Sequence, residues 1–160
     1  MGDHDWWSAS QRIPDELRSC NWQFLNDQHH IIDYKGAKLL VTGITYIYSR
    51  KISLPRLETL LANAPDADLK IILVHQPANS VLKSAKKYGY HLLLAGHTHG
   101  GQIVFRPFGF ELTPTQSENN YYNGQNILGN LNVFISNGIG LTLVPLRYQA
   151  PAEIIQISLK

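Results

Sequence analysis

The sequence predicts a mixed α/β (α+β) fold in a single domain, residues 1–160. Two continuous apolar runs, LKIILVH at 69–75 and HLLLA at 91–95, are typical of strands covered on both faces. Between them SVLKSAKKYG, residues 80–89, has the pattern of a helix that ends at Gly89. Such a βαβ unit makes the two strands parallel and brings their carboxyl ends to one edge of a sheet.

The first half of the chain alternates between helices and strands. Ser10 to Cys20 is predicted to form a short helix with Pro14 in its first turn. Residues 30–34 and 38–45 have the composition of two strands joined around a glycine. A helix from Leu54 to Ala64 follows, with a serine at the N-cap position and a proline in its first turn.

The second half is rich in short β segments, which gives the fold its α+β character. We expect strands at 102–105, 109–113, 132–136 and 152–159. The polar stretch 114–130 is predicted to be a loop.

Composition excludes several classes of protein. The hydrophobic fraction of 44% is sufficient for a packed core, and a net charge of +2 gives no indication of nucleic-acid binding. The single cysteine, Cys20, excludes an intramolecular disulfide and a cysteine-only zinc site. The sequence contains no run of about 18 apolar residues, which a membrane-spanning helix would need. We therefore expect a cytoplasmic protein, with attachment to a membrane surface left open.

Three histidines follow the two apolar runs. His75 ends the first, and His97 and His99 follow the second in LLLAGHTHGGQ, where glycines let the backbone turn. Neutral imidazole is the commonest metal ligand, so their convergence at one sheet edge predicts a metal site. The alternative for any single histidine is a ring satisfied by the backbone. We accept that alternative for His91, and expect His29 and its neighbour to lie at the surface.

A second cluster of polar groups opens the chain, where Asp3, His4 and Asp5 stand in MGDHDWW. A carboxylate here would complement the imidazoles, because hydrolytic metal sites often mix both ligand types. The alternative is a frayed, solvated terminus. The adjacent Trp6 and Trp7 are expected either to wall a substrate pocket or to cover a core.

Three motifs in order carry a resemblance to a known family. GDHD at 2–5, ILVHQP at 72–77 and AGHTHGGQ at 95–102 resemble the last three motifs of the calcineurin-like metallophosphoesterases, in their bacterial small-phosphoesterase branch. The resemblance implies a two-sheet sandwich flanked by helices, of which this chain would lack the N-terminal strands. It also implies hydrolysis of phosphate mono- or diesters by a metal-activated water.

The resemblance assigns roles near the start of the chain. Asp3 stands where the family has a metal-binding asparagine. His4 matches the histidine that contacts the phosphate and protonates the leaving oxygen. Asp5 matches an acidic neighbour that could orient His4.

It also assigns metal ligands and a cofactor. His75 and His97 match ligands of the second metal, and His99 matches a ligand of the first. The cofactors implied are divalent ions, Mn, Zn or Fe, two in the family's full site. With the ligands present in this chain we expect one at most.

The chain also departs from the family pattern. The Asp-x-His and Gly-Asp-x-x-Asp motifs that would precede GDHD are absent, and Asp27-x-His29 stands too late in the chain to replace them. We therefore expect a truncated phosphoesterase domain of reduced or no activity. The alternative is a non-catalytic remnant that binds a metal or a partner chain. An open sheet edge would favour self-association or pairing with another chain.

Two further features are left with alternatives. Arg147 could reach a phosphate, because guanidinium matches phosphate geometry, but a structural ion pair is the favoured role. Tyr121 and Tyr122 could contact substrate or a membrane surface, or could simply be loop residues at the surface.

Overall fold

The computed structural model describes residues 1–9, 12–117 and 121–159, which build one mixed sheet with helices on it. Its order is β1-β2-β5-β6-β8-β7, and a separate hairpin pairs β3 with β4. The strands are β1 Gln28–Tyr34, β2 Ala37–Ile44, β3 Tyr46–Ile47, β4 Arg50–Lys51, β5 Leu69–Val74, β6 Leu92–Ala95, β7 Gly124–Leu128 and β8 Leu131–Ile135. The helices are α1 Asp3–Ala9, α2 Arg12–Ser19, α3 Leu54–Ala62 and α4 Asn79–Lys87.

The predicted α/β (α+β) class is confirmed. β2, β5, β6 and β8 are parallel to one another, and the edge strands β1 and β7 are antiparallel to their neighbours. The βαβ unit forms as expected, with α4 connecting β5 to β6. The carboxyl ends of β5 and β6 therefore lie side by side, which places the residues that follow each strand at one sheet edge.

One face of the sheet carries the core. Alternate residues of the central strands, including Leu40, Ile72 and Leu93, are fully buried under α3 and α4. The two helices contribute Leu57 and Leu82 to the same cluster. The helical pattern of both segments is explained by this one apolar stripe facing the sheet.

The opposite face is open. Leu73 on the central strand β5 is 42% exposed, although parallel strands are usually covered on both faces. A cavity of about 700 Å³ lies over β2 and β5, and another of about 320 Å³ lies between β6, β8 and residues 153–157. The sheet thus has an open apolar face, whereas its two edges are formed by the antiparallel strands β1 and β7.

Several predicted strands were wrong. Residues 152–158 belong to no helix or strand: Ile155 and Ile157 line the smaller cavity, but this segment pairs with no strand among the described residues. Segments 102–105 and 109–113 make only isolated bridges, one of them between Phe105 and Leu112. The reason is shared: extended backbone becomes a strand only where a partner supplies hydrogen bonds.

Other local differences lie in polar stretches. The predicted loop 114–130 contains β7, whose partner is β8, while residues 118–120 lie outside the described part. The predicted helix from Ser10 is described from Arg12 onward, and Ser10 itself is outside the description. The first motif is helical, as α1, rather than frayed. Ser53 occupies the N-cap position of α3 without a side-chain cap bond.

A partly buried chain of hydrogen bonds corrects the prediction that His29 lies at the surface. Its Nε2 lies 3.0 Å from the carbonyl oxygen of Leu60, and its Nδ1 lies 2.8 Å from Oγ1 of Thr42. A carbonyl can only accept, so Nε2 donates and Nδ1 accepts from the threonine hydroxyl. Thr42 in turn lies 2.7 Å from the hydroxyl of Tyr90. His29 is therefore a structural residue at the sheet–helix interface.

Within the described residues, no helix is long and apolar enough to cross a bilayer.

Candidate metal centre

Three side chains from distant parts of the sequence converge at the carboxyl edge of the sheet. His75 follows β5, His97 follows β6, and Asp3 stands at the start of α1. Oδ2 of Asp3 lies 3.0 Å from Nε2 of His75 and 2.9 Å from Nδ1 of His97, and the two ring nitrogens are 3.2 Å apart. Among the described residues these three form the group whose donor atoms are close enough to hold one ion.

The donor set fits a divalent cation. Ligand atoms at about 2.0–2.1 Å from a tetrahedral zinc lie about 3.3 Å from one another, close to the edges of this triangle. Three protein ligands with a further position open is the pattern of catalytic rather than structural zinc sites. Two imidazole nitrogens and a carboxylate oxygen also suit manganese and iron.

The electrostatics of the three side chains also favours binding of a metal ion. The Asp3 side chain is only 3% exposed, so its carboxylate has lost most of its hydration. Burial, reinforced by the charge of His97 and opposed by that of Asp3, lowers the pKa of His75 to about 4. His75 is therefore neutral near pH 7, the form in which imidazole ligates a metal ion.

Tyr48, in the turn between β3 and β4, supports the cluster, and sequence reasoning missed it. Its backbone N–H donates to Oδ1 of Asp3 at 2.6 Å, which leaves Oδ2 facing the two histidines. Its ring packs edge-on against His97, with centroids 5.0 Å apart. No side-chain motif could have identified this residue, because the donor is a peptide group.

Glycines allow close approach around the cluster. A Cβ on Gly2 would lie 2.8 Å from Cε1 of His75, so this position tolerates no side chain without displacing the ring. Gly100 and Gly101 have positive φ, and so do the non-glycine neighbours His97 and His99. Left-handed backbone at two histidines is strained and is typical of functional loops.

His99 lies in the same cavity but outside the triangle. Its Nδ1 is 3.2 Å from the carbonyl oxygen of Gly140, so Nδ1 donates and Nε2 keeps its lone pair. Burial lowers the pKa of His99, with Arg147 and His97 acting in the same direction. A ligand or a base would need this neutral ring with one nitrogen already anchored.

His4 and Asp5 occupy the exposed side of α1. His4 packs edge-on against Trp7 at 5.1 Å, and both rings line the cavity. The Asp5 carboxylate accepts a hydrogen bond from the backbone N–H of Gly2 at 2.9 Å, which caps the helix. Trp6 instead packs against the guanidinium of Arg50.

The cavity itself measures about 590 Å³ and has two kinds of wall. The histidines and Asp3 are polar parts of the lining. Ile103, Leu143 and Val144 are apolar parts of the same lining. A lining that combines a few polar groups with apolar side chains is typical of a small-molecule site.

Within the described part of the chain, Arg147 is not among the residues that line the cavity and forms no ion pair, so the favoured structural ion pair is not found. Its guanidinium donates to five backbone carbonyls, those of His99, Asn137, Gly138, Gly140 and Ala150, at 2.6–3.1 Å. It thereby ties the loop at 137–140 to the histidine loop. Tyr122 is buried and accepts a hydrogen bond from Thr98 at its carbonyl, so its expected place at the surface is wrong.

Several curated proteins that are similar to this chain are named metallophosphoesterases. The uncharacterized metallophosphoesterase YkuE of Bacillus subtilis is 37% identical over 106 residues, 66% of this chain and 36% of its own length. The uncharacterized metallophosphoesterase Cj0846 of Campylobacter jejuni is 29% identical over 100% of this chain and 41% of its own. Phosphodiesterase YaeI of Escherichia coli is 24% identical over 99% of this chain and 56% of its own.

The chain therefore spans between 36% and 56% of the length of these relatives. No family model matches the sequence.

Proposed function

Because this chain belongs to the calcineurin-like metallophosphoesterase family, we propose that it binds one divalent cation through Asp3, His75 and His97 and uses the cation to hydrolyse phosphate esters. The observation that carries the proposal is the triangle of three ligand atoms with edges of 2.9–3.2 Å. A bound cation of this kind supplies a water of lowered pKa and positive charge for phosphate oxygens. The substrates proposed are phosphate mono- or diesters.

The residues around the triangle have separate roles in this proposal. We propose that His4, which is exposed on α1 and lines the cavity, donates a proton to the departing alcohol oxygen. His99 offers Nε2, because its Nδ1–H is held by Gly140. Asp5 acts through the helix rather than through His4, because its carboxylate caps the N-terminus of α1.

A second candidate is metal binding without turnover. It is favoured by the size of the donor cluster, which contains three groups among the described residues, whereas a two-metal site needs more ligands and a bridging oxygen. In that case the domain, which we take to be a single unit, binds a metal or a partner chain and has low or no phosphoesterase activity.

Metal titration tests the site directly. After dialysis against a chelator, Zn²⁺ and Mn²⁺ are titrated calorimetrically, and we expect about one ion per chain. His97→Ala should abolish stoichiometric binding. His91→Ala is the matched control, because His91 accepts a hydrogen bond from the Lys70 backbone, away from the cavity, and should bind as the native chain does.

No binding in the native chain, or equal binding in His97→Ala, contradicts the site. Hydrolysis of p-nitrophenyl phosphate and of its diester, bis(p-nitrophenyl) phosphate, with Mn²⁺ then separates the two candidates. Turnover lost in both His97→Ala and His4→Ala supports the enzyme. One bound metal without turnover above the His97→Ala background supports the binding protein.

We further propose that the open sheet face is covered by a second polypeptide, in the first instance another copy of this chain. Leu73 lies 42% exposed at its centre. Light scattering across protein concentration should show association that Leu73→Lys weakens and Leu54→Lys, on the outer side of α3, does not. A monomer at all concentrations would contradict this. Membrane-surface attachment and a cytoplasmic location stay as predictions, testable by vesicle flotation and cell fractionation.

A further inference from the structure

We propose that Leu143, held in place by Gln102, is the residue that recognises an apolar group on the alcohol side of the phosphate ester. The inference rests on the proposed function, because it assigns a substrate class to that same cavity. It arises from Leu143 itself, which lines the cavity and is also fully exposed at its mouth.

The conformation of Leu143 is unfavourable in two respects. Its side chain leaves a large apolar surface in water, and its backbone has φ of +60°, in the left-handed region that branched residues avoid. Asparagine or glycine would satisfy the backbone at this point, and a polar residue would satisfy the solvent. A strained, solvent-exposed leucine at a cavity mouth indicates a function that requires an apolar contact there.

Gln102 holds this conformation from below. Its Nε2 donates to the carbonyl oxygens of Thr142 at 2.7 Å and Val144 at 3.0 Å, and its Oε1 accepts from the Thr142 N–H at 2.8 Å. The three bonds grip the residues on both sides of Leu143. The Gln102 side chain is buried, so these bonds are made out of competition with water and fix the loop firmly.

The same glutamine connects the apolar lip to the metal-binding loop. Gln102 follows His99 by three residues, and its backbone N–H donates to the His99 carbonyl. The position of Leu143 is therefore set relative to the histidines. Val144 and Ile103 extend the apolar wall inside the same cavity. A phosphate held at Asp3 and the histidines would share the cavity with this wall, so its alcohol substituent would have an apolar surface to contact, which suits an alkyl chain or an aryl ring.

Phosphonates test the inference because they bind without being hydrolysed. Calorimetric titration of the Mn²⁺-loaded chain compares methyl-, butyl-, hexyl- and phenylphosphonate. Each buried methylene strengthens binding about fourfold, so partial burial against the wall should make hexylphosphonate bind at least about tenfold more tightly than methylphosphonate. A gain for phenyl but not hexyl indicates an aryl group, and the reverse indicates an alkyl chain. Either result supports the inference.

Three variants identify the residue responsible. Leu143→Asn keeps the size and suits the left-handed backbone, and it should reduce the tenfold gain to less than about threefold. Gln102→Met removes the three bonds while Leu143 stays, and it should reduce the gain in the same way. Leu146→Asn is the control, because Leu146 is exposed on the same loop but does not line the cavity, and its gain should equal that of the native chain.

The outcomes separate the two proposals. If methylphosphonate binds but affinity does not rise with the apolar group, the inference is wrong and the phosphate site stands. If the gain persists in Leu143→Asn, the assignment to Leu143 is wrong. If no phosphonate binds to the metal-loaded chain, the proposed phosphate site is wrong, and the inference with it.

Discussion

Arg147 allows a sharp test of how this fold is held together, because a single side chain satisfies five backbone carbonyls. We expect Arg147→Met, which keeps much of the volume and removes every donor, to destabilise the chain strongly. The carbonyls at 137–140 lie in a loop without strand or helix partners, so the guanidinium replaces the secondary structure that is missing there.

The magnitude follows from the number of bonds. Four of the five are at least partly buried and one is exposed. A net contribution of about 1 kcal/mol for each buried bond gives a loss of about 4 kcal/mol in the free energy of unfolding. For a chain of this size that corresponds to a fall in Tm of about 8–16 °C.

Urea unfolding followed by circular dichroism measures this loss. Arg106→Met is the matched control, because Arg106 pairs with Glu111 and Gln149 at the surface and should change stability by less than about 1 kcal/mol. A loss below about 1 kcal/mol in Arg147→Met would show that water satisfies the carbonyls equally well. Arg147 would then not substitute for secondary structure in this loop.

Three other perturbations follow from the structure. Burial lowers the pKa of His75 to about 4, so the metal-free chain should keep its full stability above about pH 6.5 and lose about 3 kcal/mol as the pH falls to 4; urea titrations of the native chain and His75→Gln at several pH values check this. Gly100→Ala should cost more than Gly36→Ala in thermal denaturation, because both have positive φ but only the former Cβ would overlap a neighbouring asparagine. Thr42→Val should cost about 2–3 kcal/mol against about 1 for Tyr90→Phe, because the threonine has a polar partner on each side; chemical denaturation of the two variants decides.

The parallel strands and the meeting of His75 with His97 were predictable from the sequence. Long apolar runs on either side of a helical segment leave few other arrangements, and parallel strands end at the same edge. Asp3 is different: only the resemblance brought it to this edge, because 72 residues separate it from His75 and no local pattern spans that distance. The separation of His99 from the triangle was not predictable, since it depends on the carbonyl of Gly140.

The features that could not be predicted from the sequence depend on which segments pair and which backbone groups form hydrogen bonds. Residues 152–158 have strand-like composition, yet pairing is a property of two segments, and this one has no partner strand among the described residues. The opposite is true of β7: its polar sequence does not predict a strand, but it forms one by pairing with β8. The hydrogen bond from the Tyr48 N–H and the three hydrogen bonds of Gln102 were also not predictable from the sequence, because they involve backbone groups that nearly every residue carries.

The contact between Asp3 and His75 also closes a loop in the polymer sense. It joins residues 72 positions apart, and confining the ends of such a chain costs about 4 kcal/mol of entropy. In the metal-free chain the bonds to Asp3 must offset that cost. An ion shared by Asp3, His75 and His97 would act as a cross-link, so α1 would dock and release as the ion binds and leaves. Metal concentration would then set how often the first helix is accessible to a protease.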